Sequence, residues 1–283
     1  MTEEEQIEVE QQEVVERKSP SAAIIHDAIL QEGESELARP TSALFWSGLA
    51  AGMSMGFSMI AEGLLMAYLP DEHWRPLVAS FGYSMGFLIV ILGRQQLFTE
   101  NTLTPILPLL HRKKVATIGN VLRLWGIVLV ANLLGALLVG FVAARTTAFE
   151  PQVQQAFVEM GHQAMEPAFG TLLLRSIFAG WLIALMVWVL PFAEIARVWV
   201  IIFITYLVGI GHFGHVIAGS VEVFTLAFMG EASWSAALGG FIAPALLGNV
   251  IGGVTLVAAF NHAQTIAGSD NKDEEKGKEK HSA

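Results

Sequence analysis

Long apolar runs separated by short polar stretches dominate the chain between about residues 40 and 262. Six runs stand out. All except the second approach or exceed the roughly 20 residues that an α-helix needs to cross the hydrocarbon core of a membrane. The pattern therefore predicts an all-α membrane protein with six transmembrane helices. The predicted spans are residues 43–69, 76–92, 118–144, 169–190, 198–229 and 235–260.

Two of the six runs are interrupted by polar residues and glycines. The second run loses its apolar character at GRQQ (residues 93–96) and continues as LFTENTLTPILPLL, and the fifth breaks at GHFGHVIAGS (residues 211–220). Irregular backbone at membrane depth is tolerated only where it is buried in protein or lines a polar cavity. Both breaks are therefore predicted to lie on a solute pathway.

The sequence contains signs of an internal repeat. The third run contains ANLLGA (residues 131–136) and the sixth contains GNVIGG (residues 248–253), which align at an offset of 117 residues. Since each half would hold three spans, the halves would start on opposite sides of the membrane, as a 3+3 inverted repeat with broken second and fifth helices. Two further pairs of residues follow the same offset: Thr99 with Val216, and Gly63 with Gly180.

The ends of the chain differ from its middle. Residues 1–40 form a Glu-rich arm that we expect to be largely disordered, with a short amphipathic helix near residues 22–30, and residues 263–283 form a mixed-charge tail. Residues 41–262 are then the pore domain. Only 15% of all residues are charged, well below the quarter typical of soluble domains, although the formal net charge is −10.

Composition also limits the chemistry that the chain can carry. There is no cysteine, which excludes disulfides and thiolate metal sites, and we expect neither a metal nor another cofactor. Nothing in the sequence indicates nucleic-acid binding. The GxSxG and HExxH motifs and a phosphate-binding glycine loop are also absent, so the chain is predicted not to be an enzyme.

Basic residues in the short loops predict the orientation of the chain. Arg112, Lys113 and Lys114 follow the second run, and Arg197 follows the fourth. Because Lys and Arg concentrate in cytoplasmic loops, both tails are predicted to face the cytoplasm.

Ionisable residues within membrane segments are functional candidates. The breaks carry Glu100, His212 and His215, and Glu62 either lines the pore or packs nearby. For Glu222 we favour an ion pair with Arg94, because an unpaired charge in lipid is costly; a proton relay and a subunit contact are the alternatives. His212 and His215 have the spacing of helical metal ligands, but without further ligands close by a vestibule or structural role is favoured for His212.

Three motifs together resemble the signatures of the formate/nitrite transporter family. They are LFTENTLTP after the second span, FGHVIAG in the fifth and GNVIGG in the sixth, and the resemblance covers about residues 40–262. It is greatest to a divergent branch of inner-membrane proteins with an acidic N-terminal extension. The resemblance implies an aquaporin-like fold, a homopentamer with one pore per protomer, a bacterial inner-membrane location and a small monovalent anion as substrate.

The resemblance also implies roles for individual residues. His215 matches the family's central pore histidine, which would attract a weak-acid anion and hand it a proton, so that a neutral molecule crosses the constriction. Thr99 matches the threonine that faces this histidine. Four further residues match the apolar narrowing of the pore: Leu97, Phe98, Phe87 and Tyr83.

The chain departs from the family pattern at several pore positions. Gly214 and Gly219 stand where the family has Glu and Asn, and residues 161–170 lack the lysine of the pore mouth. Additional charges stand within or beside the spans instead. A pore for another small neutral or cationic solute therefore remains an alternative, and a non-conducting membrane scaffold or sensor is a second one. The additional charges are Glu62, Arg94, Glu100 and Glu222.

Overall fold

The structure, a computed structural model, describes residues 21–260 and residue 263, and these residues form helices joined by short loops, without a β-strand. Residues 264–283 of the predicted C-terminal tail and residues 1–20 of the predicted arm lie outside the described residues. We number the helices α1 (Ala22–Ala38), α2 (Thr41–Tyr68), α3 (Arg75–Ala79), α4 (Ser84–Leu92), α5 (Ile106–Arg112), α6 (Val115–Arg145), α7 (Pro151–Met165), α8 (Phe169–Val189), α9 (Arg197–Ile210), α10 (Val216–Met229) and α11 (Ala243–Ile251). Helix α11 lies between the π-helical segments Ala236–Ile242 and Gly252–Ala259.

Within the described residues, five helical stretches are long and apolar enough to cross a membrane. The predicted fifth span has a different form, because it consists of the two shorter apolar helices α9 and α10, separated by residues 211–215. The five long stretches are Thr41–Tyr68, Arg75–Leu92, Val115–Arg145, Phe169–Phe192 and Ala236–Thr255.

Helix α1 forms the described part of the predicted N-terminal arm. Its Ile29 is fully buried against Leu103 and Leu107, and Arg112 donates from Nε and Nη2 to Oε1 of Glu34 at 3.0 and 2.8 Å. The expectation of disorder is therefore wrong for residues 22–38, because apolar burial and ion pairing attach this helix to the body of the protein. The division of the chain into arm, pore domain and tail stays a prediction.

Two glycines allow two pairs of helices to cross at very short distances. A Cβ atom at Gly52 would collide with the carbonyl oxygen of Asn132, where α2 crosses α6. A Cβ atom at Gly180 would likewise collide with the carbonyl oxygen of Asn249, where α8 crosses α11. Small residues at helix crossings permit this approach of backbones. Gly63 instead lies against the ring of Phe157, so the predicted correspondence of Gly63 with Gly180 is wrong.

The helices α4 and α9 end in the same way. Each is followed by a glycine, Gly93 or Gly211, and then by a residue in the left-handed region, Arg94 with φ 51° or His212 with φ 47°. After each glycine, matching backbone hydrogen bonds close the turn. Gly93 thus corresponds to Gly211, and Arg94 to His212, at an offset of 118 residues. This offset is one residue more than the 117 at which the ANLLGA and GNVIGG motifs align.

Candidate functional site

His215 lies at the centre of the fold, at the N-cap of α10, with 1% of its surface exposed. Its Nε2 atom is 2.7 Å from Oγ1 of Thr99 in the other break. Its Nδ1 atom accepts a hydrogen bond from the backbone N–H of Ala218 at 3.1 Å. Because Nδ1 acts as the acceptor, the neutral ring carries its proton on Nε2 and donates it to Thr99.

The side chain of Asn132 holds the first break in place. Its Nδ2 atom donates to the carbonyl oxygens of Gly48 at 2.7 Å and Gln96 at 2.8 Å, and its Oδ1 atom accepts from the N–H of Phe98 at 2.8 Å. All hydrogen-bonding groups of a broken helix must find partners inside the protein. Asn132 therefore supplies partners for two backbone groups of the first break, the carbonyl of Gln96 and the N–H of Phe98, which lie beyond the end of α4.

Asn249 makes the same three contacts with the second break. It donates to the carbonyl oxygens of Ser176 and Gly214, both at 2.8 Å, and accepts from the N–H of Val216 at 2.8 Å. The sequence identified both asparagines only as repeat markers and missed this role. The available signal was an amide side chain in the middle of each of two apolar helices.

The two asparagines also define which residues of the breaks correspond. Asn132 bonds to the carbonyl of Gln96 and to the N–H of Phe98, and Asn249 bonds to the carbonyl of Gly214 and to the N–H of Val216. The residue between the two bonded groups is therefore Leu97 in the first break and His215 in the second. The predicted correspondence of Thr99 with Val216 is therefore displaced by one residue.

Aromatic rings form one wall beside the histidine. The ring of Phe87 meets that of His215 edge-on, with centroids 4.9 Å apart, and the ring of Tyr83 lies 5.5 Å from that of Phe87. Both aromatic residues belong to the second predicted span, in and just before α4. On this side, the ring of Phe87 gives His215 an apolar neighbour.

Leu97 and Phe98, two adjacent apolar residues of the first break, are both buried. The ring of Phe98 packs edge-on against Trp125 of α6, with centroids 5.9 Å apart. Leu97 is thus the residue of this pair whose place in the fold corresponds to that of His215.

A cavity of about 70 Å³, which we call the α7-side cavity, adjoins His215. Its lining is rich in polar groups from several parts of the chain. The polar and ionisable residues that line it together with His215 are Glu62, Tyr83, Gln163, Arg175, His212 and Glu222.

His212 lies in a turn with a positive φ, so it does not share a helical face with His215. Its Nε2 atom is 3.3 Å from Nε2 of Gln163 on α7. Over residues 21–260 and residue 263, no group of three or more His, Asp or Glu side chains could hold a metal ion.

A larger cavity of about 770 Å³, which we call the α1-side vestibule, lies between α1 and the first break. Arg94 pairs there with Glu32 of α1 at 3.5 Å, and Glu100 has one buried carboxylate oxygen without a hydrogen-bond partner among the described residues. The predicted ion pair of Arg94 with Glu222 is therefore wrong. The turn after α4 directs Arg94 into this vestibule, whereas Glu222 lines the α7-side cavity.

A chain of hydrogen bonds joins α1 to the first break. Glu36 accepts at Oε2 from Nε2 of Gln96 at 2.9 Å, and Gln96 accepts at Oε1 from Nδ2 of Asn101 at 3.0 Å. The same Nδ2 atom donates to the carbonyl oxygen of Leu97 at 3.2 Å. The position of α1 is thus linked to the loop that carries Thr99.

This link predicts that α1 packs more firmly as the pH falls. Burial raises the pKa of Glu36 above its ordinary 4.5, despite the Arg39 guanidinium beside it. Docked α1 thus binds a proton more tightly than undocked α1, so docking strengthens as the pH falls through the raised pKa and weakens above it. Hydrogen exchange of α1 amides, corrected for intrinsic rates, should therefore show greater protection at low pH.

The matched variants for this prediction are Glu36→Gln and Glu34→Gln, which remove one carboxylate each from the same helix. Glu36→Gln should remove most of the pH dependence of protection, whereas Glu34→Gln should retain it. Equal pH dependence in the wild type and in Glu36→Gln would contradict the assignment to Glu36.

Comparison with known proteins assigns the family. A family model described as "Formate/nitrite transporter" matches residues 23–263. The chain is 39% identical over 269 residues to "Inner membrane protein YfdC" of Escherichia coli (strain K12), covering 95% of this chain and 87% of that protein.

Two solved structures share the fold. "FNT family ion channel" has a TM-score of 0.75 at 18% identity, covering 85% of this chain and 98% of its own. "Pentameric formate channel with formate bound" has a TM-score of 0.69 at 18% identity, covering 80% and 98% respectively. Since the family model spans most of the sequence and the Escherichia coli relative most of both chains, the chain belongs to the formate/nitrite transporter family.

Proposed function

We propose that the chain is a transmembrane channel or transporter for a small monovalent weak-acid anion of the formate/nitrite class. The observation that carries this proposal is the contact between His215 and Thr99, which joins two broken membrane segments between the α1-side vestibule and the α7-side cavity. Irregular backbone and a buried imidazole at such a position are typical of a solute pathway. Leu97, Phe98, Phe87 and Tyr83 would narrow the pathway.

The proposal includes six spans arranged as an aquaporin-like 3+3 inverted repeat. Support comes from the matched contacts of Asn132 and Asn249 and from the matched turns after α4 and α9. A homopentamer in the bacterial inner membrane agrees with the pentameric formate channel of similar fold and with the inner-membrane relative from Escherichia coli. The termini would face the cytoplasm, because Arg112 and its basic neighbours come after the first break in the sequence, and basic residues concentrate in cytoplasmic loops.

The mechanism follows from the cost of removing an anion from water, which is high unless charge or hydrogen bonds replace the lost hydration. The N-terminus of α10 supplies positive partial charge beside His215. The Nε2–H of His215 can exchange Thr99 for the permeant anion as its acceptor. Protonation then makes the permeant a neutral molecule that can pass the apolar side chains.

His215 mediates this step as a hydrogen-bond donor. Its Nδ1 atom is occupied as the acceptor of the Ala218 N–H, so loss of the Nε2 proton would leave an imidazolate. The proton that the permeant acquires must then reach it from another group or from water in the cavity.

Flux through liposomes that contain the purified protein tests the proposal. We expect uptake of formate and nitrite that rises as the external pH is lowered, since the permeant crosses together with a proton. Glu62, Glu100 and Glu222 along the pathway favour the alternative of a neutral or cationic solute, for which urea and methylammonium serve as probes. Uptake of these probes without formate would overturn the proposal, and no uptake of any solute would favour a scaffold.

A further inference from the structure

The α7-side cavity brings together two carboxyl groups that the proposed function does not use. Glu62 comes from α2 and Glu222 from α10, and both line the cavity together with His215. Oε1 of Glu62 accepts a long hydrogen bond of 3.4 Å from Ser80. In the part of the chain that the structure describes, neither carboxylate has a cation within 4 Å, and Glu222 has no hydrogen-bond partner.

The hydroxyl of Tyr83 is a third polar group at the cavity, and it has no partner among the described residues. The side chain of Tyr83 lines the cavity with only 7% of its surface exposed, and its hydroxyl makes no hydrogen bond with any described residue. A buried hydroxyl normally finds a partner, in the protein or in ordered water. The cavity of about 70 Å³ is larger than the roughly 10–15 Å³ that one water molecule needs, so water can enter it and bond to these polar groups.

The charges around the cavity do not neutralise the two carboxyl groups. Arg175 of α8 and His212 of the second break line the cavity, but neither forms an ion pair with Glu62 or Glu222 among the described residues. Helix α7 contributes only uncharged side chains, including Gln163. Two carboxylates that share a small cavity repel each other, and a proton held between them removes the repulsion.

We infer that Glu62 and Glu222, assisted by the Tyr83 hydroxyl, form a proton-binding site that supplies the permeant's proton through water in the cavity. In this step an O–H bond of the carboxyl pair breaks, and a new O–H bond forms on the carboxylate of formate or on the oxygen of nitrite. The pair regains a proton from water on the α7 side, so one proton enters with each anion. The inference rests on the proposed function. It supplies the proton donor that the permeant needs, because His215 with Nδ1 occupied donates a hydrogen bond but does not release its Nε2 proton.

The test compares four variants in liposomes. Formate uptake is measured with an isotope, and proton uptake is measured at the same time with a pH-sensitive dye inside the vesicles. Glu222→Gln and Glu62→Gln each remove one carboxyl group from the cavity. Glu159→Gln removes an exposed carboxyl group on the outer face of α7 and is the matched control. We expect Glu222→Gln to reduce uptake about 100-fold, the lower end of what a positioned proton donor contributes, with a flattened pH profile.

Glu222→Asp, which keeps the carboxyl group, should recover part of the pH profile, and this recovery distinguishes proton donation from a role in folding. Wild-type pH profiles in both Glu222→Gln and Glu62→Gln would overturn the inference and leave the proposed function intact. If the wild type transports neither formate nor nitrite, the proposed function fails. Infrared spectroscopy then tests the proton-binding site independently of transport. A protonated-carboxyl band that Glu222→Gln removes would support the site, and its absence from the wild type would overturn the site.

Discussion

Replacement of His215 by alanine should reduce formate flux by about 10- to 100-fold. The hydrogen bond from Nε2 to a charged permeant is worth about 1.5–3 kcal/mol, and each ~1.4 kcal/mol added to a barrier slows the crossing tenfold. The ring of Phe87, which meets His215 edge-on, offers no substitute donor at this point. The measurement is the initial rate of formate uptake into liposomes at a fixed pH gradient.

A loss of flux in His215→Ala could also come from the loss of the N-cap of α10, since His215 accepts the N–H of Ala218. His215→Asn separates the two effects, because asparagine is among the best N-cap residues but cannot extend a donor to the position of Nε2. We expect it to melt close to the wild-type temperature and to transport as poorly as His215→Ala. His73→Ala, at an exposed loop position, is the matched control and should transport normally. Wild-type flux in His215→Asn would contradict the role of the imidazole.

The sequence predicted those features that follow from local pattern. Apolar runs and their interruptions depend on which residues can contact lipid, so the apolar spans and both breaks could be placed without coordinates, whereas the amphipathic helix α7 was not predicted. The contact between Thr99 and His215 could be anticipated for a different reason, since the motifs around them match a family in which the two face each other.

Features that depend on the direction of a turn, or on contacts between residues far apart in sequence, could not be predicted in the same way. The ion pair of Arg94 with Glu222 was a reasonable interpretation of charge cost, but the left-handed turn at Arg94 directs its side chain to Glu32. The docking of α1 depends on tertiary burial of Ile29, which a short Glu-rich segment does not reveal. The one-residue error in the repeat has the same origin, because the asparagine contacts that define the register join residues far apart in sequence.

Replacement of Asn249 by alanine should lower the free energy of unfolding by about 3–6 kcal/mol. The substitution leaves the carbonyl of Gly214 and the N–H of Val216 without their side-chain partner in a buried site, and each buried unpaired group costs about 1–3 kcal/mol. The carbonyl of Ser176 also loses a donor. Because these contacts hold the backbone on both sides of His215, formate flux should fall together with stability.

Unfolding in detergent micelles, followed by circular dichroism, measures this loss. Asn249→Asp can still accept from Val216 but cannot donate to either carbonyl, so it should be destabilised at least as much as Asn249→Ala. Thr255→Ala is the matched control, because it deletes a polar group of the same membrane-spanning stretch that bonds only to the carbonyl of Ile251. It should change stability by no more than about 0.5 kcal/mol. Asn132→Ala should repeat the large loss, because its side chain holds the first break by the same three contacts. A small effect in both asparagine variants would mean that water, and not these side chains, supports the broken helices.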